Sequence, residues 1–171
     1  MNKTTLYIFS GLPGSGKTTL SQALASRLGA AHLRIDTIEQ ALRDLCSLDV
    51  HGEGYRVAYR VASDILRSGV SVAADSCNAI ELNRREWERV AVDAGALYVN
   101  IEVICSDSME HRHRVEHRVP TVPRLRLPTW QEVLNREYHD WTVSRVVLDT
   151  AGKRIEDCVE ALLAELSALE A

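Results

Sequence analysis

The sequence predicts an α/β fold in which a five-stranded parallel sheet lies between two layers of helices. Three observations predict it. Short apolar runs alternate with helical patterns along nearly the whole chain, and strands separated by helices imply parallel pairing with helices on both faces. The runs are apolar throughout rather than alternating, the mark of strands buried on both sides. The length of 171 residues suits a single domain, expected to span residues 1–171, and can bury a core without disulfide or metal staples.

The elements follow in order. Residues 5–10 form a compact apolar run, the first strand. Residues 17–28 carry helical spacing through Leu20, Ala23, Leu24 and Leu28, and stop at Gly29. Residues 31–35 make a short second strand and 37–45 a helix. Residues 55–66 are helical, with Val57, Val61, Ile65 and Leu66 on one face. The third strand is expected at 70–74, a helix at 81–94 and the fourth strand at 96–105. Residues 107–128 break the pattern, being polar, then basic, then Pro-rich, and are expected to be a lid or substrate segment with a mobile loop at 119–128. A helix follows at Thr129, where Glu132 three residues on completes a capping box. A short strand at 146–148 and an amphipathic helix at 155–169 close the chain.

Composition excludes several classes. The net charge of −4 argues against a dedicated nucleic-acid binder, which carries a basic excess. The four cysteines are scattered without a CxxC pair, as expected of reduced thiols in a cytoplasmic protein. No apolar run approaches membrane-spanning length, so no membrane partner is expected. The N-terminal apolar stretch reads as a strand running into a Gly-rich turn, not as a signal peptide.

Gly11-Leu12-Pro13-Gly14-Ser15-Gly16-Lys17-Thr18 matches GxxxxGK[ST] in full, between a strand and a helix. This is a phosphate-binding P-loop. Its glycines let the backbone curl so that several N–H groups point at an anion. The helix that follows aims its positive end at the same place. Lys17 supplies a cation for the β- and γ-phosphates, and the Thr18 hydroxyl can ligate Mg²⁺. The predicted nucleotide-binding set is Gly11, Pro13, Gly14, Ser15, Gly16, Lys17, Thr18 and Thr19, with ATP and Mg²⁺ as cofactors.

Absences narrow the P-loop class. No Asn/Thr-Lys-x-Asp segment reads guanine. Asp149-Thr150-Ala151-Gly152 resembles a DxxG switch but follows the last strand, far beyond a GTPase switch. Motor ATPases set Glu beside the strand-end Asp to activate water, whereas Asp75 is flanked by Ala74 and Ser76. Transfer to a substrate hydroxyl is favoured over hydrolysis.

With the loop at 11–18, Asp36 after the second strand, Asp75 after the third and a basic helix from Arg112 to Arg118, the chain resembles small P-loop kinases. These include chloramphenicol phosphotransferase, gluconate kinase, the zeta toxins and the kinase domain of polynucleotide kinase. The resemblance spans nearly the whole chain. It implies the P-loop NTPase three-layer sandwich with strand order 2-3-1-4-5. It also implies residue roles. Asp36 would accept the substrate hydroxyl's proton, although Asp before Thr37 and Glu39 also reads as a helix N-cap. Asp75 would stand behind Mg²⁺ with Thr18, or contact substrate together with Asn78. Arg114 and Arg118, at i and i+4 on one helical face, would close over the triphosphate as a lid. His113 and His117 lack a third zinc ligand. Arg34 and Arg43 flank Asp36, and Arg43 joins Asp36, Asp75 and Asn78 as the expected substrate set. The turn at 149–152 would lie near adenine.

The expected function is ATP- and Mg²⁺-dependent transfer of the γ-phosphate to a hydroxyl of a small molecule. Lys17, Asp36, Arg114 and Arg118 are the expected catalytic residues. A polynucleotide 5′-hydroxyl is an alternative acceptor, permitted by the basic lid but disfavoured by overall acidity. A non-catalytic, toxin-like or regulatory ATP binder is the alternative from another class.

Overall fold

The computed structural model describes residues 3–170. Twelve elements follow one another: β1 (Thr5–Ser10), α1 (Lys17–Leu28), β2 (Ala31–Arg34), α2 (Ile35–Cys46), α3 (Glu53–Arg67), β3 (Val72–Asp75), α4 (Glu81–Asp93), β4 (Leu97–Ile104), α5 (Ser108–His117), α6 (Trp130–Leu134), β5 (Val146–Asp149) and α7 (Ile155–Glu170). The five strands form one sheet in the order β2-β3-β1-β4-β5, every pair parallel. This is the expected order, and each connection between successive strands contains one or two helices.

The pleat of β1 explains the three layers. Tyr7 and Phe9 face one side, where Leu20 and Leu24 of α1 and Leu162 of α7 cover them. Leu6 and Ile8 face the other, against Ala58, Ala62 and Leu66 of α3 and Trp87 of α4. Successive residues of a strand point to opposite faces, so a continuous apolar run is what a central strand between two helical layers needs. Every residue of β1 is buried. Complete burial of each large apolar side chain contributes roughly 1.5–3 kcal/mol.

Several boundaries differ from expectation. The third strand starts at Val72, not at residue 70. The Val70 N–H donates to Ile65 O in the turn that ends α3, so it is unavailable to the sheet. The second strand ends at Arg34, and α2 begins at once with Ile35, whose side chain enters the core. Asp36 therefore lies inside the first turn of α2. The N-cap is Arg34, with no side-chain cap, which corrects the capping reading of Asp36. An acid in the first turn still suits the positive end of the helix.

The lid expectation also changes. Helix α5 sits directly on the P-loop. Its N-cap Asp107 accepts from the Met109 and Glu110 N–H groups. The loop after it is tethered rather than free: Arg34 Nη1 donates to Thr121 Oγ1 at 2.7 Å, Arg124 lies 3.6 Å from Asp44, and Val122 is buried. The capping box at Thr129 and Glu132 forms as expected.

Candidate active site

The P-loop leaves the C-terminal end of β1, the end of a parallel sheet where ligand crevices lie. Gly11 is required by space: a Cβ there would stand 2.3 Å from Val103 O, and its φ is 145°. Its N–H donates to Cys77 O at 3.0 Å, tying the loop to the chain just past β3. At Gly14, φ is 84° and a Cβ would stand 2.5 Å from Val115 Cγ2 of α5. Helix α1 begins after Gly16 with no side-chain cap and no acid in its first turn. Its N-terminal N–H groups are thus left for an external anion. Lys17 is buried, Thr18 half-buried and Thr19 exposed.

Asp75 is the last residue of β3, paired in register with both Phe9 and Arg34. Its side chain is 2% exposed. Burial pushes the carboxyl pKa up, but His32, Lys17 and Thr18 together hold it below the ordinary range. His32 Nε2 is 3.7 Å and Arg34 Nε 3.8 Å from Asp75 Oδ2, and this oxygen has no hydrogen-bond partner among the described residues. A buried, unpartnered carboxylate oxygen beside a threonine hydroxyl is a hard oxygen donor set, which fits Mg²⁺.

Asp36 is half exposed, 3.5 Å from Arg34 Nη2. Arg34 thereby joins Asp36 to Asp75. Glu39, one turn on, is raised in pKa by burial, against the opposing charge of Arg43. Arg43 itself is drawn along its own helix to Glu39, at 3.5 Å.

The two arginines expected on one helical face have different surroundings. Arg114 donates to Thr150 Oγ1 at 2.7 Å and Thr150 O at 3.0 Å, and to Glu110 Oε1 at 2.5 Å. Thr150 Oγ1 in turn donates to the P-loop carbonyl of Ser15, and Glu110 accepts from the Gly152 N–H. Arg114 is thus anchored on the turn after β5. Arg118 is the residue past the end of α5, with φ −69° and ψ 146°. Its N–H still donates to Arg114 O at 3.1 Å, closing the last turn, and the chain becomes extended beyond it. The charges of Asp36 and Arg34 bear on the Arg118 side chain.

Asn78 is fully buried and spent on structure. Its Nδ2 donates to Phe9 O at 2.8 Å, and its Oδ1 accepts from Trp87 Nε1 at 3.1 Å. This corrects its expected place among substrate contacts: neither end of its amide is free for a ligand.

Three residues escaped the sequence reading. His32 stands between Ser21, at 3.0 Å, and Asp75. His111 is buried, donates from Nε2 to Pro13 O at 2.8 Å and meets Trp130 edge-on at 5.1 Å. Its i, i+4 spacing to Val115, the other buried residue of α5, was the available signal, hidden within a basic run. Arg84 is buried and donates to the carbonyls of Asn78, Ala79, His139 and Asp140, so it holds the chain after α6 against α4.

Residues 6–136 match the family model described as an AAA domain. No curated protein matches the chain. Solved structures do. A gluconokinase from Sinorhizobium meliloti has 19% identity and a TM-score of 0.69, over 99% of this chain and 95% of that one. The APS kinase of Mycobacterium tuberculosis, solved with AMPPNP and APS, has 16% identity and a TM-score of 0.70, over 98% and 99%. Kti12 of Chaetomium thermophilum, solved with ADP-AlF3, has 19% identity and a TM-score of 0.68, over 93% and 97%. These likenesses establish a fold shared with small P-loop kinases. With its P-loop, its 2-3-1-4-5 sheet and a family match over most of its length, the chain belongs to the AAA-domain family of P-loop proteins.

Proposed function

We propose that the protein is an ATP- and Mg²⁺-dependent phosphotransferase with an alcohol acceptor. The observation that carries this reading is the pair of carboxylates at the ends of neighbouring strands. Asp75 is buried beside Lys17 and Thr18, while Asp36 is exposed and bridged to it by Arg34. One carboxylate faces the phosphate loop and the other faces solvent. A hydrolase needs a single water-activating group at the first position, whereas a kinase needs a base where a second substrate enters.

Each residue then has a task. The P-loop N–H groups and Lys17 hold the β- and γ-phosphates and neutralise charge as the phosphoryl group moves. Thr18, backed by Asp75, would hold Mg²⁺, which when bound would supply neutralisation of phosphate charge. Asp36 orients the acceptor hydroxyl and takes its proton as that oxygen bonds to the γ-phosphorus and the bond from the γ-phosphorus to the departing ADP breaks. Arg114 braces the turn at 150–152 against the loop. The acceptor is a small molecule in this reading. The gluconokinase and APS kinase sharing the fold act on such substrates by name, which supports it.

Labelled ATP with a panel of hydroxylated metabolites, nucleosides and 5′-hydroxyl oligonucleotides tests the reading. A labelled acceptor is expected with the wild-type protein. Asp36→Asn should lower kcat by about 10²–10⁴-fold, the usual worth of a general base, with ATP affinity unchanged. ATP binding without any labelled acceptor, and with Asp36→Asn behaving as wild type, would return the protein to the regulatory class.

A further inference from the structure

Behind the phosphate loop, a short chain of polar side chains runs from α1 through β2 to β3. Ser21 is fully buried in α1. Its hydroxyl donates to Thr18 O at 3.0 Å, within its own helix. The same oxygen lies 3.0 Å from His32 Nε2, and His32 Nε2 lies 3.7 Å from Asp75 Oδ2. The strand register explains the meeting. His32 pairs with Ala73, and Arg34 with Asp75. Side chains two apart on a strand share a face, and Ala73 belongs to the core beneath α1. His32 and Asp75 therefore both face α1.

A hydroxyl carries one proton. That of Ser21 is committed to Thr18 O, so toward His32 the Ser21 oxygen can only accept. His32 Nε2 must then carry a hydrogen. The same follows from the other side, since a bare nitrogen lone pair turned toward the Asp75 carboxylate would add repulsion. The N–H so fixed bonds to Ser21 and faces Asp75 Oδ2 from beyond hydrogen-bond reach. That oxygen stays without a hydrogen-bond partner among the described residues. Burial pushes the Asp75 carboxyl up, and His32 leads Lys17 and Thr18 in bringing it down. The link begins at Thr18 and ends at Asp75, the two residues proposed to hold Mg²⁺. One stands at the start of a helix and the other at the end of a strand, and the link joins the two elements at that point.

We infer that His32 is a positioning residue for the metal: kept by Ser21 with its hydrogen on Nε2, it holds the Asp75 carboxylate in place relative to Thr18 while leaving Oδ2 open. The inference rests on the nucleotide and Mg²⁺ half of the reading above and is independent of the acceptor.

The test uses Mn²⁺ as the probe, because electron paramagnetic resonance separates free from bound Mn²⁺. Mn²⁺ is titrated into the complex of the protein with ADP, and ADP is titrated separately in EDTA. His32→Leu keeps much of the bulk and loses the N–H. It should raise the Mn²⁺ Kd about tenfold or more, the usual effect of losing a partner behind a metal site, with ADP affinity in EDTA unchanged. His32→Gln can place an amide N–H near the position of Nε2 and should recover most of the loss. Thermal melts establish that both variants are folded. Nitrogen-15 NMR of the wild-type protein, which needs no variant, should show hydrogen on His32 Nε2. Unchanged or tighter Mn²⁺ binding by His32→Leu overturns the inference. So does an equal loss of ADP affinity in EDTA, which would mean that the residue only packs the site. A His32→Gln variant no better than His32→Leu overturns it as well, by pointing to side-chain shape rather than the N–H, and so does a bare Nε2 in the wild-type protein. All four outcomes leave the kinase reading standing. If the wild-type complex with ADP takes up no Mn²⁺, the Mg²⁺ part of that reading fails and this inference falls with it.

Discussion

Asn78 shows how a residue's neighbours decide its role. In sequence it stands three residues past Asp75, where a polar side chain can reach a substrate. In the fold its amide joins the Phe9 carbonyl to the Trp87 indole, at a backbone φ of 45°. Asn tolerates that left-handed conformation better than most residues. Asn78→Ala strands two buried polar groups, at a cost of roughly 2–4 kcal/mol in all. The expected outcome is a lowered melting temperature with acceptor KM unchanged in the folded enzyme. A raised acceptor KM at unchanged stability would restore it to the substrate set. Gly14 makes the complementary case. Its φ of 84° and the 2.5 Å approach of Val115 both exclude a Cβ. Gly14→Ala is expected to weaken nucleotide binding in a titration with ADP and to destabilise the fold. Val115→Ala should recover only part of the loss, because it makes room but leaves the backbone strain.

At the scale of elements, α5 is where sequence and structure part most. The run from His111 to Arg118 looks like a solvated basic helix, yet His111 and Val115 face the P-loop, and the helix ends one residue before Arg118. Arg118 closes the last turn by donating its N–H to Arg114 O, and the chain turns extended beyond it. Helix α6 was legible because its signal is local: Thr129 and Glu132 form their box from neighbouring residues alone. Arg126 above all, and then the Thr129 N–H and hydroxyl, lower the Glu132 pKa from the ordinary 4.5 to about 2. A depressed carboxyl pKa stabilises the folded form above the unfolded value and loses that contribution as pH falls through the folded one. The start of α6 should therefore hold at pH 5 and loosen between about 4.5 and 2. A carboxyl titration followed by NMR should place the Glu132 midpoint near 2. A midpoint near 4.5 would mean that the box does not form in solution.

For the whole molecule, the chain after α6 is held by one buried cation. Arg84 donates to the carbonyls of Asn78, Ala79, His139 and Asp140, and its guanidinium lies 4.0 Å from the Trp141 ring centroid. Beside it, Glu102 of β4 accepts from Tyr138 and Arg145. Removing the guanidinium leaves buried carbonyls without donors. Arg84→Met should release residues 137–145, seen as faster amide hydrogen exchange there, while exchange in β1 and β4 stays slow. Unchanged exchange in 137–145 would show that Glu102 and the packing of Trp141 suffice.

By itself the sequence determined what depends on near neighbours or on pattern: the alternation of strand and helix, the P-loop with its glycines and Lys17, the Gly29 stop and the capping box. Such signals survive because backbone geometry and burial periodicity act over a few residues. Only the tertiary structure decided which side chains meet. Asp75 gains its place beside Lys17, Thr18 and His32 because three strands end side by side. Asp36 enters the first turn of α2 because Ile35 is drawn into the core. Arg114 is bound to Thr150 because the turn after β5 comes up against α5. These are contacts across 36 to 58 residues of chain, and no local pattern encodes them. The loop that opens the chain's chemistry was therefore readable in advance, whereas the surroundings of Asp75 and Asp36 were not.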